Sequence, residues 1–438
     1  MNAHTDKIEA ANSRLDLAVN GPPSQAESHE IADRPLSRGV VFLFAVACGL
    51  AVANVYYAQP LLDAIADEFA LSHATVGAVI SITQIGYGLG LLLIVPLGDL
   101  LERRRLIIGQ SLLSVLALLG VASARNGTEL YVAIAAVGGL AVVTQVLVAF
   151  AATLAHPTER GGVVGSVTSG IVTGILLART VAGVLADLAG WRAVYLVSAV
   201  ATLVVVGFLY KVLPHRAPPT VGIPVRKLIG SVFTLFIEVP VLRIRALLAS
   251  LIFAAITTLL TPLVLPLAAP PRSLTHTEIG LFGLAGAAGA LGASRAGHLA
   301  DRGLAERTTG IGLTLMLVSW LPIAMLQYSL LSLAIGVVVI DFGLQSVHVT
   351  NQSLIYRVHP EAQSRLTAGY MIFYSIGCAV GSIVSTIVYA HAGWTGVCIL
   401  GAAISAVALW FWATCKKIYA PDERPSRELR ARRAEQTP

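Results

Sequence analysis

Twelve apolar blocks, each about as long as the helix that crosses a bilayer, leave this 438-residue chain few ways to fold. They run over 39–60, 75–97, 105–124, 129–152, 162–187, 191–213, 243–266, 278–296, 307–326, 329–352, 366–390 and 394–415. Lipid offers no hydrogen bonds, so each block must satisfy its own backbone and reads as a helix. Only 12% of the residues are Asp, Glu, Lys or Arg, about half the share of a soluble domain. A soluble chain of this length would break into domains with far more polar surface. Secreted, cytosolic and nucleic-acid-binding globular proteins are therefore excluded. The expectation is an all-α membrane protein of twelve transmembrane helices.

The formal charge of +6 is scattered through short connections and the two ends, where topology determinants lie, and not gathered into a nucleic-acid patch. Residues 1–38 are polar, with Pro22, Pro23 and Pro35, and read as an N-terminal tail. The stretch 214–242, with Pro214, Pro218, Pro219 and Pro224, reads as a longer central connection, and 416–438 as a basic C-terminal tail. Placing both termini on one side puts 26 of the 30 Lys and Arg residues there. Arg125, Arg192 and Arg272 fall on the other side, and Arg179 lies inside a span. By the positive-inside bias both tails are cytoplasmic, as in a multi-pass protein of the inner membrane. The four cysteines sit inside apolar segments, away from any Cys/His ligand spacing, so no metal or cofactor is expected.

The second half repeats the first at an offset of about 203 residues. His156-Pro157 returns as His359-Pro360, Gly174 as Gly377, and Gly190-Trp191 as Gly393-Trp394. Ser72-His73 with Val76-Gly77 becomes Thr275-His276 with Ile279-Gly280. Six crossings per copy give both copies one orientation, dividing the chain into six-helix bundles at 39–213 and 243–415. Parallel repeats of this kind hold substrate near the midplane between two rocking halves.

The loop after the second span reads Gly98-Asp99-Leu100-Leu101-Glu102-Arg103-Arg104-Arg105, and its copy Gly297-His298-Leu299-Ala300-Asp301-Arg302. In these residues, and over about 39–415, the chain resembles the major facilitator superfamily of secondary transporters. The stretch Asn54–Leu62 resembles a bacterial branch near the drug/proton antiporters. The resemblance implies two pseudo-symmetric six-helix bundles and a cytoplasmic latch formed by Gly98, Glu102, Arg103, Gly297, Asp301 and Arg302. It departs from many drug antiporters in lacking an arginine in the fourth span and a proline after Gly170 in the fifth. Glycines crowd the second, fifth, eighth and eleventh spans, which in that fold meet between the halves. Small residues let membrane helices approach closely, so these glycines are expected at sliding interfaces.

Ionisable groups at bilayer depth are costly and by default functional. Asp341 lies about 18 Å into the tenth span, and Gln345, His348 and Gln352 follow within about 60° of it on one helical face. Asn351 sits beside that stripe. Asp341 and His348 are the proton-coupling candidates. Arg179 in the fifth span either pairs with Asp341, meets an anionic solute group or packs against carbonyls. Asn54, Tyr56, Tyr57, Gln59, Gln84 and Gln145 complete the candidate cavity lining, while Asp63, Asp67 and Glu68 read as a solvated outer face. No HExxH, GxSxG or Walker pattern suggests an enzyme. The expected activity is proton-coupled export of a small amphipathic or drug-like solute by a single chain in the lipid bilayer. Proton-coupled uptake of a small organic solute is the alternative, and a membrane-embedded receptor or enzyme a remote one.

Overall fold

The computed structural model describes residues 37–156, 159–214, 230, 234–286, 302–358 and 363–415, and positions 289, 292, 295, 296 and 299. The first half comprises α1 (Arg38–Phe69), α2 (Ala78–Gly98), α3 (Arg103–Ser123), α4 (Gly127–Leu154), α5 (Arg160–Ala189) and α6 (Trp191–Val212). The second half has α7 (Pro240–Ala268), α8 beginning at His276, α9 (Ala305–Gln327) and α10 (Leu330–Tyr356). It ends with a helical stretch, Arg365–Cys415, that turns at Gly393 into α11 (365–392) and α12 (394–415).

Local signals in the sequence account for the ends. Ser37 and Asn126 cap α1 and α4 through their side-chain oxygens, and Thr275 with Glu278 forms a capping box at the start of α8. Pro240 opens α7, where its missing N–H costs nothing. Pro60 imposes a 3-10 turn at Gln59–Leu61, yet the helix resumes. The first span is therefore longer than the sequence suggested, and Tyr56 lies near its middle rather than at its rim.

The duplication is visible in the packing. Gly190 and Gly393 both adopt positive φ, 82° and 60°, and join α5 to α6 and α11 to α12 where a side chain would strain the turn. A Cβ on Gly174 would stand 2.2 Å from the Gly49 carbonyl oxygen, and one on Gly377 would stand 2.1 Å from that of Ser250. The α1–α5 and α7–α11 crossings thus use the same device, backbone laid on backbone.

Charged contacts define two ends. On the terminal side, where α1 begins, Arg104 donates to the Tyr210 carbonyl at 2.7 Å, tying the start of α3 to the end of α6. On the opposite side Arg192 donates to Glu68 and to the carbonyls of Ala122 and Ala124.

Between the halves α2 packs on α11 and α5 on α8. The expectation that glycines mark this seam holds for part of them. Gly77 and Gly88 meet α11, Gly183 meets α8, and Gly280, Gly283 and Gly286 meet α5. Gly86 and Gly90 instead pack on α4, Gly170 and Gly174 on α1, Gly289 and Gly292 on α10, and Gly377 and Gly381 on α7. Most of the latter receive a neighbouring backbone oxygen inside one half, a demand the sequence pattern does not distinguish from sliding.

The seam is closed on one side. Among the described residues, hydrogen bonds between the halves lie at mid-membrane or beyond it toward the opposite side. They include Tyr56–Tyr374, Ser81 to the Ala379 carbonyl, Thr180 to the Gly280 carbonyl and Thr386 to the Ala74 carbonyl. At the terminal-side start of α5, Cβ atoms on Gly161, Gly162 or Gly165 would meet nothing within 4 Å.

Gly138 provides a direct test of the crossings, since its Cβ would fall 2.0 Å from the Thr83 oxygen. G138A should destabilise the protein by about 1–3 kcal/mol. G109A, inside α3 at a position with open space, should not destabilise it. Thermal denaturation of both variants in detergent checks this.

Candidate functional site

At mid-membrane, where α1, α5, α8 and α10 converge, Arg179 and Asp341 face the seam from opposite halves. Arg179 Nε donates to Gln59 Oε1 at 2.6 Å, and its guanidinium carbon sits 5.2 Å above the Tyr56 ring. Gln59 is buried because Pro60 bends the chain and turns that side chain inward. Asp341 attracts Arg179 through space but forms no ion pair with it, and its Oδ2 is buried without a hydrogen-bond partner. That carboxylate lies against Gly286 and Gly289 of α8, with the Gln345 side chain at the same crossing: a Cβ on Gly289 would stand 2.1 Å from Asp341 Oδ2 and 2.8 Å from Gln345 Cγ. The eighth-span glycines therefore make room for an acid.

An aromatic wall continues from this pair across the seam. Tyr56 and Tyr374 share a hydroxyl–hydroxyl bond of 2.7 Å. The Tyr374 ring meets Tyr87 edge-on at 6.4 Å and Phe253 at 4.2 Å. Tyr87 in turn engages Gln145. His348 is wedged between Phe253 and Tyr370, with Nδ1 2.9 Å from the Tyr370 hydroxyl. The polar stripe on α10 thus divides: Asp341 and Gln345 face α8, whereas His348 faces α7 and α11.

Other candidates fall elsewhere. Asn54 accepts from Ser198 at 2.6 Å, binding α1 to α6 inside the first half, and Tyr57 is buried edge-on against Tyr195. Gln84 is buried with its Oε1 unpartnered, and Gln352 is half-buried. Asn351 is fully buried and accepts from Arg245.

Of the residues expected to form a latch, Arg103 donates to the carbonyls of Gly98 and Ala149 and to Thr153, and Glu102 pairs with Arg105 at 2.7 Å. These contacts lie within the first half. Arg302 is exposed. Gly297 and Asp301 lie outside the described residues, as do most of the two tails and much of 214–242.

Two charged clusters have no counterpart in the sequence pattern. In the sequence Arg245 is one of the 26 basic residues on the terminal side. It is 3% exposed and pairs with Glu306, which also accepts from Trp412 Nε1 at 2.8 Å, so α7, α9, α10 and α12 are tied at the terminal side. The signal available was a second arginine one turn into the span, beyond the one at its edge. Asp63 and Glu68 are not simply a solvated face: Glu68 binds Arg192 and Trp191, and Asp63 binds His276 across the seam.

The model of the Major Facilitator Superfamily matches residues 41–361 and 246–437. The chain belongs to that superfamily. It is a multi-pass membrane transporter with the twelve-helix, two-bundle fold of the superfamily, and not an enzyme. It is 49% identical over 377 residues to "Uncharacterized transporter YgaY" of Escherichia coli O157:H7, covering 86% of this chain and 95% of that one. It is 23% identical over 381 residues to "Probable sugar efflux transporter" of Helicobacter pylori, covering 85% and 93%. Among solved structures it resembles a bacterial homologue of the human lysosomal transporter Spinster in an inward-facing, occupied conformation. The TM-score is 0.72 at 13% identity, over 88% of this chain and 98% of that one.

Removing one partner of the Arg245 cluster should leave Glu306 and Asn351 without their buried donor. R245M should cost about 1–3 kcal/mol, and R245M combined with E306Q should recover part of that loss. Melting temperatures of the single and double variants test the coupling.

Proposed function

We propose that the chain is a secondary transporter exchanging protons for a small amphipathic or drug-like solute, with Asp341 as the coupling carboxylate. The observation that carries this reading is the buried Asp341 oxygen that no protein donor satisfies. An unpaired carboxylate at bilayer depth is costly. A proton, or a donor group on the solute, completes it, and the two alternate as the cycle turns. Tyr56, Tyr87, Tyr374 and Phe253 offer flat apolar surface for the body of such a solute. Gln145, Gln345 and Gln352 offer polar contacts on adjoining faces, and His348 meets the Tyr370 hydroxyl beside them.

In this reading 39–213 and 243–415 are the rocking units, joined by 214–242, and a single chain performs the whole cycle. The 26 basic residues on the terminal side support a reading with both termini in the cytoplasm of an inner-membrane protein. With the seam closed on the opposite side, this reading takes the structure as the inward-facing state. The terminal-side loops with Gly98, Glu102, Arg103, Gly297, Asp301 and Arg302 close the other end when the halves rock. The export direction is supported by the name of the Helicobacter relative. Arg179 supports a second reading, uptake of an anionic organic solute, because its guanidinium is held at the seam by a neutral amide and not by an acid.

Inside-out vesicles carrying a pH gradient separate the two. A cationic amphipath that dissipates the gradient in the wild type, with the response at least tenfold weaker in D341N, is the expected result. A response confined to organic acids and lost in R179Q would favour uptake. Dissipation unaffected by D341N would remove Asp341 as the coupling group.

A further inference from the structure

The seam carries a second titratable cluster, about two helical turns from the Arg179–Asp341 pair and at the membrane surface. His276, at the start of α8, points one ring nitrogen at each of two acids of the other half. Nδ1 lies 2.9 Å from Asp187 Oδ1 at the end of α5, and Nε2 lies 3.2 Å from Asp63 Oδ1 at the end of α1. A neutral imidazole has one N–H and one lone pair, so it can donate to only one carboxylate; two acceptors at once call for the imidazolium. Asp187 also accepts from the backbone N–H groups of His276 and Thr277 and from the Thr277 hydroxyl, at 3.1, 2.8 and 2.6 Å. The helices touch here: a Cβ on Gly183 would lie 2.2 Å from the His276 carbonyl oxygen.

The internal repeat gives a built-in comparison. His73 occupies the equivalent place in the turn before α2, where that end of α2 meets α11. It faces the Tyr389 ring at 6.2 Å, and Gly77 packs on Ser382 and Thr386. Among the described residues that crossing shows no ion pair. The acids around His276 are therefore additional to what sealing requires.

We propose that His276, with Asp63 and Asp187, is a proton-binding site that locks the seam on the side opposite the termini, and that loss of its proton releases that gate. The three side chains are 25%, 22% and 27% exposed, so protons reach them from that side. The other groups around the imidazole leave its charge uncompensated except by these two acids. Glu278 of α8 is engaged in the capping box with Thr275. Glu68 of α1 is turned to Arg192 and Trp191, and Asp67 is exposed. Arg179 of α5 lies deeper, bonded to Gln59. The turn at Gln59–Leu61 and the end of α7, Val264–Ala268, carry no titratable side chain.

Hydrogen bonding to Asp63 first, together with the charges of both acids, raises the His276 pKa from 6.5 to about 9 against the effect of burial. When the halves part, both acids leave and the imidazole returns toward its ordinary value. A raised pKa in the closed state stabilises that state fully below pH 6.5, and the contribution disappears as pH rises through about 9. Between pH 6.5 and 8.5 the closed-to-open ratio should fall about 40-fold.

The gate is read without any solute, so its outcome is independent of the transport reading. Cys378 lies behind the closed seam beside Tyr374 and is buried. Its alkylation by a membrane-impermeant maleimide added to right-side-out vesicles requires the gate to open. The rate in wild type, divided by that in H276Q at each pH, cancels the thiol's own titration. We expect this quotient to rise about 40-fold from pH 6.5 to 8.5. A flat quotient overturns the proposal. The same rise seen only in inside-out vesicles would keep the gate and reverse the orientation given above. Should H276Q fail to reach the membrane, D187N must lower the midpoint of the rise in the undivided rate, and an unshifted midpoint also overturns it.

Discussion

Backbone-on-backbone contact between helices holds this molecule together. Lipid tails are as apolar as leucine side chains, so burying more of them against each other yields little. Close approach, and the dispersion it brings, must supply the cohesion. The α2–α4, α1–α5 and α7–α11 crossings all rely on glycine accepting a neighbouring carbonyl oxygen. These contacts lie inside the halves and make each half rigid. The seam shares this device at Gly77, Gly183 and Gly280, and adds hydroxyls, an aromatic pair and one ionic cluster.

That division places the chemistry. A rigid half can hold Asp341 against the eighth-span glycines with an oxygen unsatisfied, because the surrounding packing does not relax to cover it. Arg179, on the other half, is oriented by Gln59 and Tyr56, so the distance between acid and base is set by how the halves sit. The Arg245–Glu306–Trp412 cluster does similar work at the terminal side of the second half, fixing α10 by way of Asn351.

Much of the fold was legible because its signals are local or periodic. Apolar blocks of bilayer length, basic loops and a repeat at fixed offset each follow from the solvent, and the Gly190 and Gly393 turns sat where the repeat put them. Asp341 and Arg179 stood out by being charged in apolar surroundings. What remained hidden depended on partners distant in sequence. Nothing near Asn54 reveals that Ser198 claims it, and nothing near His348 reveals Tyr370. The role of Asp63 required knowing that Pro60 bends the first span without ending it, so that an acid assigned to solvent returns to the seam. His276 was visible as one half of a repeated pair, but its two acids came from helices that only the assembled halves bring together.

The absence of a side chain at position 289 has an evolutionary consequence. Even a methyl group there would occupy the space of the Asp341 carboxylate. A lineage that kept the acid would be held to glycine at 289. One that lost the acid would be free to fill the gap, and after filling it could not easily regain the acid. The two positions should change together and in that order, so the buried acid would be easier to lose than to recover.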